Sequence, residues 1–330
     1  MDRFDLPDKR WRIVKDWIIR QIDSGEWPAD TKLPSIRALT RMFETSITTV
    51  QRALADLEAD AYVSTVPRVG YFVSASGQAK PASGVDFSSV TVNVNHAVVA
   101  MLSQAASRTT ASLNSAVLHS DLTPNVLLNK CLSALAGKAD NSLTGLVAPP
   151  GLPALRRRIA GLMLTRGVVC GPDDILVTSG DTIALELALE AVAPRGATVA
   201  IETPTYYGIL QTIERLGMRA LPIRTHGKLG LDVDHLEEAL KLKKVAVIFL
   251  NPTLQNPRGF IMPDETRARL SQIACDADVP IIEDDIFFDL VLEDERPRAI
   301  KSYDSSGQTI YCSSFSKTIA PGYRVGWCLA

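Results

Sequence analysis

Cys312-Ser313-Ser314-Phe315-Ser316-Lys317-Thr318-Ile319-Ala320-Pro321-Gly322-Tyr323-Arg324-Val325-Gly326 follows a predicted strand, Thr309-Ile310-Tyr311-Cys312, and sets one lysine among hydroxyl residues with an arginine seven residues further on. A lone lysine flanked by serines is a surface lysine in roughly nine cases of ten, so the stretch is weighed with its surroundings. Upstream lie four more apolar runs, Ile175-Leu176-Val177-Thr178, Thr198-Val199-Ala200-Ile201, Val245-Ala246-Val247-Ile248-Phe249-Leu250 and Pro280-Ile281-Ile282-Glu283. Helical patterns separate them, among them Ala184 to Ala193 and Asp264 to Ala277. Continuous apolar strands alternating with helices predict a parallel or mostly parallel sheet covered on both faces. Sheets of that kind bind ligands beyond the carboxyl ends of their strands, which is where Lys317 stands.

At 330 residues the chain exceeds one ordinary domain, since domains run to about 100 to 200 residues. A net charge of -2 with 22% charged residues carries no global electrostatic signature, so nucleic-acid binding has to come from a local surface. The five scattered cysteines form no C-x-x-C pair for zinc or a redox disulfide, and no metal is expected. A reducing cytoplasm fits them. Met1-Asp2-Arg3-Phe4-Asp5 lacks a signal-type apolar core, and no apolar run approaches the ~20 residues of a membrane span. The expectation is a soluble, cytoplasmic protein without a membrane partner. Ser74 to Gly84 is small, polar and rich in Pro and Gly, the texture of a linker. It divides a domain at 1–76 from a linker and arm at 77–110 and a second domain at 111–330; residues 85 to 110 are too weakly patterned to assign.

In the first domain, Lys9 to Ser24 places Val14, Trp17, Ile18 and Ile22 at helical spacing and stops at Gly25. Pro34-Ser35 opens a second helix with Ile36, Leu39 and Phe43 inward, and Thr45-Ser46 cap a third that buries Ile47, Val50, Leu54 and Leu57. Two short helices joined by a tight turn make a helix-turn-helix. Ser46, Thr48, Thr49, Gln51 and Arg52 stay outward on the N-terminal half of the third helix, where a recognition helix meets bases and phosphates. Tyr62-Val63-Ser64-Thr65 and Gly70-Tyr71-Phe72-Val73 pair around Val66-Pro67-Arg68-Val69, placing Arg68 at the tip of a wing. A small helical cap with ordinary polar residues is the competing reading of the helices alone. Lys32-Leu33-Pro34-Ser35-Ile36-Arg37-Ala38-Leu39, Ser46-Ile47-Thr48-Thr49-Val50-Gln51-Arg52-Ala53 and Pro67-Arg68-Val69-Gly70-Tyr71-Phe72-Val73 together closely resemble the GntR family of bacterial regulators. The resemblance implies contacts to double-stranded operator DNA from Arg37, Thr48, Thr49 and the wing; Ile47 and Gln51 stand where some members have arginines.

In the second domain, a cofactor with an aldehyde, a phosphate, a phenolic oxygen and a pyridine nitrogen needs a lysine, a carboxylate and anion-binding groups. All three classes occur, in order, at the predicted strand ends. The stretch around Lys317 resembles the S-F-S-K motif of fold-type I aminotransferases with its later arginine. That likeness implies pyridoxal 5'-phosphate as cofactor, Lys317 as the catalytic residue forming the Schiff base, and Ser314 and Arg324 on the phosphate. Gly180-Asp181-Thr182 opens a helix whose first N–H groups suit an anion, with a plain helix cap as the alternative. Tyr206, in Glu202-Thr203-Pro204-Thr205-Tyr206-Tyr207-Gly208, matches the tyrosine that stacks on the ring; a core aromatic is the alternative. Asn256, in a segment that otherwise reads as a Gly/Pro-rich turn, matches the donor to O3'. Asp284 matches the partner of the pyridine nitrogen, against the alternative of a solvated charge run.

The two resemblances joined in one chain describe the MocR subfamily: a winged helix-turn-helix plus an α/β large domain of PLP-dependent transferase fold type I. They imply a PLP-dependent regulator that senses an amino compound, such as an amino acid or related amine, or PLP itself, normally as a homodimer. Three positions depart from the pattern. Phe287 replaces a tyrosine that bonds O3', Leu146 replaces a tyrosine that reaches the partner's phosphate, and Asp181 puts a carboxylate where a hydroxyl or small residue is usual. The residues end shortly after Arg324, so the small C-terminal domain with its substrate-clamping arginine is expected to be missing. A working aminotransferase with an accessory domain and an inactive fragment remain the competing readings.

Overall fold

The computed structural model describes residues 10–59, 62–66, 69–74, 87–105, 116–137, 145–227, 229–292 and 295–330. They fall into two compact units, Met1–Asp86 and Phe87–Ala330.

In the first unit, α1 (Arg10–Asp23), α2 (Ile36–Met42) and α3 (Ile47–Ala59) precede an antiparallel hairpin of β1 (Val63–Val66) and β2 (Gly70–Val73). The caps are those the sequence predicts. Ser35 accepts from the Ala38 N–H at 3.2 Å, and Ser46 accepts from the Thr49 N–H at 3.1 Å. Between α2 and α3, Glu44 turns the chain at φ 46°. Val14, Ile18 and Ile22 of α1 meet Leu39 of α2 and Val50, Ala53, Leu54 and Leu57 of α3 in a closed core. Trp17 packs edge-on against Trp27 and Phe43, both at 5.3 Å, and Lys15 pairs with Asp56 at 2.6 Å to tie α1 to α3. Ile47 departs from expectation: it is 49% exposed. Val50, Ala53, Leu54 and Leu57 already complete the inward stripe, so Ile47, at the first helical position, joins the outer face with Thr48 and Gln51. Pro67 and Arg68, the tip of the wing, lie outside the described residues.

The second unit is built on an eight-stranded sheet. Its strands are β3 (Val90–Thr91), β4 (Ile175–Thr178), β5 (Thr198–Glu202), β6 (Arg219–Ile223), β9 (Val247–Leu250), β10 (Ile281–Asp284), β11 (Thr309–Ser314) and β12 (Gly326–Leu329). A separate small hairpin is made by β7 (Thr225–His226) and β8 (Gly230–Leu231). The order is β3-β6-β5-β9-β10-β11-β12-β4, with antiparallel pairings only where β3 meets β6 and where β12 lies between β11 and β4. Helices α4 (Asn95–Ala105), α5 (Asn125–Ala136), α6 (Pro153–Met163), α7 (Asp181–Val192), α8 (Tyr207–Arg215), α9 (Val233–Lys241) and α10 (Asp264–Ala277) accompany it. Two cores flank the central strands: Leu236, Leu240, Leu270 and Ala274 of α9 and α10 on one face, and Leu185, Leu189, Ile209 and Ile213 of α7 and α8 on the other. That double cover explains why β9 is apolar without alternation and why β9 and β10 are both wholly buried.

The five predicted strands are present with shifted ends: β9 starts at Val247 and β11 continues to Ser314. The unassigned stretch contains β3 and α4, and Phe87, Val92 and Val98 are buried in the second unit. Among the described residues, no helix is long and apolar enough to cross a membrane.

Candidate cofactor site

The parallel strands deliver their carboxyl ends to one edge of the sheet. There Asp181 and Thr182 after β4, Tyr206 after β5, Asn256 after β9, Asp284 at the end of β10, and Lys317 and Arg324 after β11 line one open pocket. Asp181 and Arg324, 143 positions apart in sequence, thus share one wall system because the central strands run parallel. Gly180 and Ser314 stand just behind the lining. A Cβ on Gly180 would overlap the Arg324 guanidinium, and the Ser314 hydroxyl accepts from the Ser316 N–H at 3.2 Å. The sequence reading did not assign Ile286 or Ser316 to the site, yet both line it. Ser316 presents a hydroxyl with no hydrogen-bond partner.

The acidic run Glu283-Asp284-Asp285 is fully buried, not a solvated face. Strand alternation gives its members different surroundings. Glu283 accepts from the Ile300 and Lys301 N–H groups at 2.8 and 3.0 Å and faces Arg267 at 3.9 Å. Asp285 accepts from the Tyr311 hydroxyl at 3.0 Å, which in turn accepts from Arg166 at 2.8 Å. Asp284 alone turns to the pocket, with one backbone donor, Ile286, at 3.2 Å. Burial, and then the Asp181 charge, push its carboxyl well above the ordinary range. Among the described residues no salt bridge reaches this carboxyl, although the Lys317 charge acts on it, and a protonated pyridine nitrogen would give it a cationic partner.

Asn251 ties the neighbouring groups together. Its amide donates to the Asp284 carbonyl at 2.6 Å and its oxygen accepts from the Asn256 N–H at 2.9 Å. Its own N–H donates to Glu202 at 2.9 Å. Glu202 is 1% exposed, and burial pushes its carboxyl up to about 8 against those hydrogen bonds. On the opposite wall, burial raises the Tyr206 hydroxyl pKa, partly countered by a hydrogen bond with Thr182. Gly208 makes room for that ring, which a Cβ there would overlap.

Lys317 is half-buried, its ammonium donating to the Ala116 carbonyl at 2.7 Å and lying 5.7 Å from the Phe287 ring centroid. Burial lowers its pKa, while Asp284 and Asp181 oppose the shift and Arg324 adds to it. A lysine that gives up its proton more easily is a better nucleophile toward a carbonyl. Arg324 adopts the left-handed conformation, φ 53°, which costs a non-glycine residue about 1 kcal/mol or more. It aims the guanidinium back toward the Ser179 carbonyl, 3.3 Å away. Beside it, helix α7 starts from Gly180, φ 91°, with no side-chain cap, so its first N–H groups are open to an anion. Gly326 permits this: a Cβ there would lie 2.5 Å from the Gly180 carbonyl carbon and 2.7 Å from the Asp181 nitrogen. Lysine, carboxyl, anion-binding helix end and guanidinium together fit pyridoxal 5'-phosphate.

In the first unit, Arg37, Ser46, Thr48, Gln51 and Arg52 are exposed and Thr49 half-exposed. Ser46 is engaged locally, its hydroxyl 2.8 and 2.7 Å from those of Thr48 and Thr49. Arg52 lies over the Trp11 ring at 4.8 Å.

Fold and site define a fold-type I aminotransferase-like domain carried on the same chain as a winged helix-turn-helix. Residues 113–330 match the family of aminotransferase class I and II, and residues 12–73 match the bacterial regulatory proteins of the gntR family. The chain is 35% identical over 321 residues to the uncharacterized HTH-type transcriptional regulator YjiR of Escherichia coli K12, covering 96% of this chain and 68% of that protein. To YdcR of the same organism, likewise an uncharacterized HTH-type transcriptional regulator, identity is 33% over 324 residues, covering 98% and 69%. Among solved structures, the kynurenine aminotransferase of Pyrococcus horikoshii, in complex with PMP, superposes with a TM-score of 0.66 at 28% identity over 76% of this chain and 61% of that one. An archaeal alanine:glyoxylate aminotransferase gives 0.65 at 29% identity over 73% and 61%. The chain belongs to aminotransferase class I and II, in the MocR-type architecture that joins such a domain to a GntR helix-turn-helix.

Proposed function

We propose that this chain is a PLP-dependent, DNA-binding transcription regulator whose second unit senses an amino acid or related amine. The convergence of Lys317, Asp284, Asn256, Tyr206 and Arg324 on one pocket carries the reading. Lys317 holds the cofactor covalently, Asp284 pairs with the ring nitrogen, Asn256 reaches O3' and Tyr206 stacks on the ring. Ser314, Arg324 and the N–H groups from Gly180 to Thr182 hold the phosphate. When bound, the cofactor supplies an electrophilic carbon for an incoming amine. Phe287 offers no hydroxyl to O3' and Leu146 is 99% exposed, which supports weak transamination, with binding rather than turnover as the output.

The first unit binds operator DNA through Arg37, Thr48, Thr49, Gln51, Arg52 and the Arg68 wing, with Ser46 shaping the helix start. A cytoplasmic location suits such a protein. A homodimer is supported by α5, which buries none of its side chains and exposes Val126, Leu127, Leu132 and Leu135; apolar patches of that kind mark interaction surfaces. Borohydride reduction of the PLP-loaded chain, followed by peptide mass spectrometry, is expected to place the adduct on Lys317 and to lose it in Lys317→Ala. An adduct on another lysine overturns the site. Selection from random duplexes is expected to enrich one sequence; no enrichment overturns the regulator reading. Turnover of amino donors near the ~10 per second of ordinary enzymes would make the chain a working aminotransferase instead.

A further inference from the structure

Asp181 is the first residue of α7, so its backbone belongs to the anion-binding helix end while its side chain enters the same pocket. It is 6% exposed, and one carboxylate oxygen has no hydrogen-bond partner. The charged and titratable groups facing it come from every neighbouring element: Lys317 and Arg324 from the segment between β11 and β12, Asp284 and Asp285 from the end of β10, Tyr206 before α8, and Cys312 in β11. Burial pushes the Asp181 carboxyl up to about 7, while Lys317 and Arg324, the two cations in reach, hold it from rising further.

A phosphate ester bound here changes that balance, a step that rests on the PLP reading above. Arg324 would turn to the phosphate, and the Lys317 amine would condense with the carbonyl, whose oxygen leaves as water. Both cations that favour the Asp181 carboxylate are then engaged elsewhere, and a new anion lies against it. Like charges at such range in a buried site are resolved by a proton. A neutral carboxylic acid carries an O–H that donates a hydrogen bond, which a carboxylate cannot do. We propose that Asp181 binds the cofactor phosphate as a neutral acid, its O–H donating to a phosphate oxygen, so that loading takes up one proton from solvent at this residue. It thereby sets the pH range over which the protein holds a phosphorylated cofactor.

The sign follows from which form binds. Below the Asp181 pKa of the empty site the acid is already present and costs nothing. Above it, each pH unit weakens binding by about tenfold relative to a side chain that does not titrate. The test is PLP titration of the full chain, wild type against Asp181→Asn and Asp181→Ser, by absorbance and by calorimetry in buffers of different ionisation heat, between about pH 6 and 8.5. Nearly equal affinities are expected at the low end and about tenfold or more weaker wild-type binding at the high end, with an extra proton taken up by wild type only. Pyridoxal, which lacks the phosphate, is expected to show no such divergence. Parallel pH curves for wild type and Asn, or the same divergence with pyridoxal, overturn the assignment while leaving the PLP site intact. Absence of PLP binding in all three proteins at every pH overturns both.

Discussion

Glu202 shows how a residue outside the pocket lining controls what lines it. It holds Asn251, and Asn251 holds both Asn256 and Asp284. Its carboxyl, raised from 4.5 to about 8, binds its proton more tightly in the fold than in the unfolded chain. The stability linked to that proton is therefore fully present below about pH 4.5 and is lost as pH rises through about 8. Glu202→Gln keeps an acceptor for the Asn251 N–H and removes the titration. Thermal melts are expected to show the variant level with or below wild type near pH 5 and above it near pH 8; curves that stay parallel contradict a buried, protonated Glu202. The sequence marks Lys317 and Arg324 because their spacing is local. It is silent on Glu202 because its partner sits 49 residues away, and nothing in Glu202-Thr203-Pro204 announces that contact. Ser316 lies beside Lys317 in sequence, but only tertiary placement shows that it lines the pocket.

At the scale of elements, caps and periodicity transmit most of the fold. The predicted span of α10, Asp264 to Ala277, is the span observed, and α3 starts where Ser46 caps it. Ser46→Ala removes that cap and the bridges to Thr48 and Thr49. It is expected to cost about 1 kcal/mol, measurable by chemical denaturation of the first unit; a change within a few tenths would show that Thr48 or Thr49 substitutes. The missed elements have physical reasons. Strand β6 carries Arg219 and Pro222, both exposed, which breaks the apolar run that signals a buried strand. Strand β12 begins at Gly326 and inserts antiparallel between β11 and β4, a pairing no local pattern specifies. Ile47 reads as core by spacing alone, yet spacing does not reveal that the inward stripe is already complete without it.

At the scale of the molecule, the two units keep separate cores. Leu54, 0% exposed in the first of them, is expected on replacement by alanine to destabilise that unit by about 2 to 5 kcal/mol, while PLP affinity of the second unit stays within twofold of wild type. A parallel loss of cofactor binding would show that the units fold as one. Most of the predicted linker lies outside the described residues, and Phe87 and Val92 of the unassigned stretch join the second unit's cores through contacts that weak patterning hides. The four tryptophans follow the same division: Trp11, Trp17 and Trp27 lie in the first unit and Trp327 in the second. Trp327 packs 4.9 Å from Phe315, in the strand that begins at Gly326 beside the anion-binding helix end. Its ultraviolet emission therefore originates next to the pocket, where a bound chromophore would quench it, while the other three indoles report from the unit assigned to DNA. The chain carries its own pair of optical channels, and replacing Trp327 with phenylalanine silences one of them.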